Sequence, residues 1–113
     1  MHELSLVAAV CDEALRVLAR EGASRVLSIR LLLGVLSCAD RDALALCFPL
    51  AVRDTPLEGA RLEVEAEPLL LHCNECGSDS KSWDALLVCA VCQSGAVEVR
   101  GGRDLVIASM EVQ

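Results

Sequence analysis

Along the first twenty residues the apolar positions recur at helical spacing, with Val7, Val10, Cys11, Ala14, Val17 and Leu18 on one stripe. Ser5 stands where an N-cap belongs and Gly22 where a left-handed residue ends a helix, which predicts a helix over about Ser5 to Glu21. The period then changes from 3.6 to 2. From Arg25 to Leu33, Leu27, Ile29, Leu31 and Leu33 alternate with Ser28 and Arg30, a half-buried strand stopped by Gly34. Ser37 and Asp40 have capping-box spacing ahead of a stripe of Leu44, Cys47, Phe48 and Ala51, so a second helix is expected over about Ala39 to Val52. Pro49 removes one of its hydrogen bonds and predicts a kink or an early end near Phe48. Arg61 to Glu67 alternates again, with Leu62, Val64 and Ala66 inward and three glutamates outward. Pro68 and Gly101-Gly102 bracket a segment of different character, and the apolar run Leu105 to Val112 reads as a last strand returning to the first sheet.

The pattern implies an α+β fold: two helices packed on a small, mostly antiparallel sheet, with an inserted module. The expected boundaries are a first domain over residues 1–67, completed by residues 102–113, and a second over 68–101. The bracketed segment carries the strongest chemical signal in the chain. Cys73-Asn-Glu-Cys76 and Cys89-Ala-Val-Cys92 are two C-x-x-C pairs separated by a hairpin length, the spacing of a four-thiolate, ribbon-like zinc site. About thirty residues cannot bury enough surface to fold alone, so the metal is expected to supply most of the module's stability. Such a closed site leaves no open coordination position and reads as structural. His72 adjoins the first pair and is expected to be an exposed neighbour rather than a ligand. Cys11, Cys38 and Cys47 are read as small buried hydrophobes.

Composition narrows the function. A net charge of −7 opposes a generic grip on nucleic acid, and four thiolates on a divalent ion would add to it. No run of about 20 apolar residues suggests a membrane span, and Glu3, Asp12 and Glu13 fit no signal peptide; a cytoplasmic chain with reduced cysteines is expected. No nucleophile is paired with a base, so an enzyme is not expected. The residues alone keep open a nucleic-acid-binding or protein-interaction zinc ribbon, and an iron-binding electron carrier.

The other unusual segment is Met1-His2-Glu3. A histidine at position two can chelate through its ring and its own backbone nitrogen, with neighbouring backbone nitrogens extending the set, donors that suit Ni(II) or Cu(II). Because a bulky second residue disfavours removal of the initiator, Met1 is expected to stay. Taken alone, His2 reads first as a solvated side chain on a frayed terminus and only second as a ligand.

With Met1-His2-Glu3, Gly34-Val35-Leu36-Ser37, Leu57-Glu58-Gly59-Ala60 and the paired C-x-x-C motifs in this order, the chain resembles the HypA family over essentially its full length. The resemblance implies a nickel metallochaperone for [NiFe]-hydrogenase maturation, some members also serving urease. It implies an α/β nickel domain with an inserted structural zinc domain, Zn at Cys73, Cys76, Cys89 and Cys92, and Ni as transient cargo at the N-terminus. His2 then matches the principal nickel ligand and Met1 supplies backbone nitrogen. Glu3 is the usual neighbour and a further donor, and Asp40 falls where some members place an additional one. The implied partners are a HypB-type GTPase, the hydrogenase large-subunit precursor and urease maturation proteins, without nucleic acid or membrane, the chain itself being a monomer or a weak homodimer. Pro49 departs from the acidic residue often found in the second helix. Cys-Ala-Val-Cys also lacks the proline that commonly follows the first cysteine of that pair.

Overall fold

The structure is a computed structural model and describes residues 3–37 and 39–113. Helix α1 (Glu3–Glu21) begins two residues before Ser5, which is therefore inside the helix and not its cap. Glu3 lies in the first turn, where a carboxylate faces the positive end of the helix dipole. Gly22 closes the helix as expected, at φ 67°, with Gly22 N–H donating to Ala19 and Ala23 N–H to Leu18. That pair of bonds is the Schellman arrangement.

Strand β1 (Val26–Gly34) runs into a 3-10 turn (Val35–Ser37) and then helix α2 (Arg41–Ala51). The cap of α2 is Asp40 itself, in an extended conformation with its carboxylate accepting from Asp42 N–H at 2.9 Å, so the Ser37 capping box is not formed. Nor does Pro49 end the helix. It lies two residues before the last residue of the helix, where its missing donor deprives only Ala45 of a partner, and Val52 N–H still bonds the Phe48 carbonyl at 3.2 Å.

The remaining strands are β2 (Arg61–Glu67), β3 (Leu69–Cys73), β4 (Asp79–Ser82), β5 (Val97–Gly101) and β6 (Leu105–Val112). They form two three-stranded sheets, ordered β2-β1-β6 and β4-β3-β5. This is an α+β fold. The chain divides into two compact units, one of Met1–Leu32, Ala39–Glu65 and Val106–Gln113, the other of Leu33–Cys38 and Ala66–Leu105.

In the first unit the buried side chains are the stripes of the two helices and one face of β1. They include Val7, Ala14 and Leu18 from α1, Leu44 and Phe48 from α2, and Ile29 and Leu31 from the strand. Alternation assigned the faces of β1 but not the depths along them. Leu27, expected inward, is 43% exposed near the strand's start, while Ser28 on the polar face is only 7% exposed. The Ser28 hydroxyl donates to the Glu111 carboxylate and Arg30 forks onto Glu65 on β2, so long charged side chains roof the polar face.

In the second unit β3 is the central strand, antiparallel to both neighbours. Leu69, Leu71 and Cys73 are buried, and Leu70 and His72 lie on the alternate face. The glycines read from sequence as a boundary are a point of close packing. A Cβ on Gly102 would fall 2.3 Å from the Pro68 carbonyl oxygen, and one on Gly34 would fall 2.4 Å from the Gly102 backbone.

Candidate metal centre

Each C-x-x-C pair closes a turn of the same construction. Glu75 and Cys76 N–H groups face the Cys73 sulfur at 3.4 and 3.5 Å, and Val91 and Cys92 N–H groups face the Cys89 sulfur at 3.3 and 3.5 Å. Gly77 N–H then returns to the Cys73 carbonyl and Gln93 N–H to the Cys89 carbonyl, both at 3.0 Å. The cysteine N–H groups in turn donate to the carbonyls of Ser78 and Ser94. Two six-residue knuckles therefore superimpose in sequence as Cys-x-x-Cys-x-Ser, a repeat that the cysteine spacing alone leaves unread. Their fifth position needs a left-handed backbone, taken by Gly77 at φ 76° and by Gln93 at φ 67°.

The four sulfurs lie within 4.8 Å of one another, with Cys73 to Cys92 at 3.6 Å and Cys76 to Cys89 at 3.7 Å. These are not disulfide distances, which are about 2.0 Å. A tetrahedral ion with zinc–sulfur bonds of about 2.3 Å separates its ligands by about 3.8 Å, close to these two separations, so the donor set fits zinc. Cys73 and Cys89 are buried and Cys76 and Cys92 exposed, which gives the cluster an inner and an outer edge.

The electrostatics of the bare thiols match that geometry. The Ser78 hydroxyl and backbone N–H hold Cys76 down to about 6. Cys92 is relieved by the Ser94 N–H, yet desolvation and the sulfurs of Cys73, Cys76 and Cys89 push it up to about 12. One proton leaves the cluster readily and another resists, because thiolates crowded together repel unless a cation lies among them. A divalent ion supplies that charge and deprotonates its ligands outright.

His72 takes no part in the sulfur cluster; its Nδ1 pairs with Asp79 at 2.7 Å. Cys11 and Cys47 are half-buried rather than fully buried, and burial, then Asp12, raises the Cys11 thiol. Cys38 lies outside the described residues.

At the other candidate site, Met1 and His2 lie outside the described residues. What the structure does bring together are Glu3 and Asp40, 37 residues apart in sequence: Asp40 N–H donates to Glu3 Oε2 at 3.3 Å. One Asp40 oxygen is committed to capping α2, which leaves its other oxygen free of that bond.

A family model described as "Hydrogenase/urease nickel incorporation, metallochaperone, hypA" matches residues 1–112. The chain belongs to the HypA family. Among its HypA relatives, the hydrogenase maturation factor HypA of Nitrosospira multiformis is 34% identical over 112 residues, covering 99% of this chain and 97% of its own. That of Synechococcus elongatus is 35% identical over 112 residues, covering 99% of each. The solution structure of the Ni metallochaperone HypA from Helicobacter pylori matches with a TM-score of 0.76 at 23% identity, over 99% of this chain and 97% of that one. It shows the shared fold. HypA proteins are maturation factors and metallochaperones, not enzymes. No described helix is long and apolar enough to cross a membrane.

Proposed function

We propose that this protein is a nickel metallochaperone whose cargo site is built at the start of α1, while Cys73, Cys76, Cys89 and Cys92 hold a structural zinc. Nickel is taken by the His2 ring and the backbone nitrogens of Met1-His2, with Glu3 and Asp40 as carboxylate donors. The ion then passes by ligand exchange to the [NiFe]-hydrogenase large-subunit precursor, in the cytoplasm, together with a HypB-type GTPase and, where urease is served, urease maturation proteins. Residues 1–67 with 102–113 make the nickel domain and residues 68–101 the zinc domain.

The observation that carries the reading is the Glu3–Asp40 contact. It supports the idea because the bond, from the Asp40 backbone N–H to the Glu3 carboxylate, holds Asp40, distant in sequence, beside the residue that directly follows His2. Nitrogen with carboxylate donors suits Ni(II), whereas the four-sulfur set is closed and suits zinc. The two sites differ in how readily they give up a metal, and a chaperone needs one of each kind.

The test is metal analysis and calorimetry on untagged protein. Wild type is expected to carry one tight zinc and to bind one nickel; His2→Ala should lose stoichiometric nickel and keep its zinc. Unchanged nickel affinity in His2→Ala overturns the mechanism.

A further inference from the structure

Alternation along β3 sends Leu69, Leu71 and Cys73 to its buried face and leaves Leu70 and His72, both half-buried, on the other. The residues that stand beside these two on β4 and β5 are exposed and charged, and they are sorted by sign. Level with His72 are Asp79 on β4 and Glu98 on β5. Level with Leu70 are Lys81 on β4 and, on β5, Arg100 beside Gly101. The face thus has an acidic end and a basic end, about 7 Å apart along the strand. Its acidic groups already have partners: His72 Nδ1 pairs with Asp79 at 2.7 Å, and Arg100 donates to Glu98 at 2.8 Å. Lys81, the chain's only lysine, has no ion pair among the described residues.

The backbone keeps the basic end open. Between Leu70 and Leu71 the register against β5 shifts by one residue, so Gly101 stands opposite Leu70 and Arg100 is the extra residue of a bulge. A Cβ on Gly101 would fall 2.8 Å from Leu70 Cδ1. With no side chain there, Leu70 packs over the glycine and forms an apolar floor between two long cationic side chains. A cavity of about 330 Å³ opens at this floor, lined by Leu70, Lys81 and Arg100 together with Asp79 and Ser80. An apolar surface flanked by two cations, one of them without a carboxylate, is complementary to an apolar group flanked by anions.

We propose that the outer face of the β4-β3-β5 sheet docks an acidic peptide segment of a partner protein, one apolar side chain of the segment resting on Leu70 and the carboxylates flanking it pairing with Lys81 and Arg100. Neighbouring strands lie about 4.8 Å apart, so Lys81 and Arg100 are rooted about 10 Å from each other across β3. The residues on either side of a central one in an extended peptide are about 7 Å apart, a mismatch that two long side chains absorb. Asp79 and Glu98 repel a carboxylate displaced toward His72, which fixes where the segment sits. Exposed ion pairs contribute little each, so a short peptide dissociates in roughly the millimolar range and added salt weakens it. None of these residues belongs to either proposed metal site, and the docking face is independent of the nickel reading.

The experiment titrates zinc-loaded, nitrogen-15-labelled full-length protein with the terminally blocked peptide Glu-Leu-Glu and follows the backbone amides by NMR. Saturable shifts are expected at Leu70, Lys81, Arg100 and Gly101, smaller in added salt. Replacing the peptide's leucine by alanine, or its glutamates by glutamines, should weaken binding roughly several-fold. Lys81→Glu combined with Arg100→Glu, at unchanged zinc content, should lose Glu-Leu-Glu and gain Lys-Leu-Lys at the same amides, an exchange that a merely structural role for these side chains would not produce. Shifts that fall elsewhere, or a titration indifferent to the charge-reversed variant, overturn the proposal. So does inorganic phosphate that shifts the same amides as tightly as the peptide does, because the face would then hold a bare anion and not a peptide.

Discussion

A thiol must lose its proton to bind a metal, and here one serine governs how easily that happens. Ser78 donates its hydroxyl and its backbone N–H toward Cys76, holding that thiol at about 6 against an ordinary value of 9.0. A lowered pKa makes the thiolate available above about 6, and that availability is lost as the pH falls through it. Zinc competes with protons for the same sulfurs, so the acid release of zinc should fall below that value and move with it. Ser78→Ala removes the hydroxyl and leaves the backbone donor, which raises the thiol. The midpoint of zinc release, followed with a chromogenic indicator, should then move upward by roughly a few tenths of a pH unit. A midpoint unchanged from wild type would show that the hydroxyl is not what sets it. Ser94 occupies the matching place in the second knuckle, but its hydroxyl bonds Ala96 N–H at 3.0 Å, so Ser94→Ala should move the midpoint less.

Asp40 has two duties within one element, and they can be separated. Its carboxylate caps α2 by accepting from Asp42 N–H, and it is the outlying donor proposed for nickel. Asparagine keeps the capping acceptor and removes the charge, whereas alanine removes both. Asp40→Ala should cost about 1 kcal/mol of stability in chemical denaturation. Asp40→Asn should unfold like wild type yet bind nickel more weakly in calorimetry; equal nickel affinity would reduce Asp40 to a cap. The helix itself was legible from its stripe of Leu44 and Phe48, but its start was not. Ser37 and Asp40 are both competent caps, and only the turn that places Asp40 extended decides between them. The bounds of the strand Arg61 to Glu67 were legible to the residue, because alternation of glutamate with apolar positions has no competing period, but at its end Ala66, read as inward, is exposed and Glu67, read as outward, is half-buried. The cysteine frame was readable from spacing alone. The Glu3–Asp40 contact was not, since no local pattern encodes a bond across 37 residues. The depth of Leu27 was hidden for a similar reason: periodicity assigns a side chain to a face, while its neighbours from distant segments decide how deeply it is buried.

The two units of the molecule depend on metal to different degrees, and their cores say which. Val7, Ala14, Leu18, Ile29, Leu44 and Phe48 belong to the larger set of buried side chains in the first unit, supplied by two helices and a central strand. Among the described residues the second unit buries only the side chains of Leu69, Leu71, Cys73 and Cys89, and two of those four are sulfur ligands in the proposed site. In the proposed site half of that core is thus tied to the ion. Without it, crowded thiols must stay protonated or repel, as the raised Cys92 shows. β3 and its two short partners then have little apolar surface with which to offset the loss of chain entropy. Removing the metal with a strong chelator should therefore abolish amide protection in β3, β4, β5 and both knuckles while α1, α2 and β1 keep theirs, read by hydrogen exchange with mass spectrometry. Far-ultraviolet circular dichroism should retain its helical signal over the same treatment, and restoring zinc should restore protection. Protection that persists through the second unit after the metal is gone would mean that its two leucines and the close glycine contacts suffice, and that zinc is not what holds it folded.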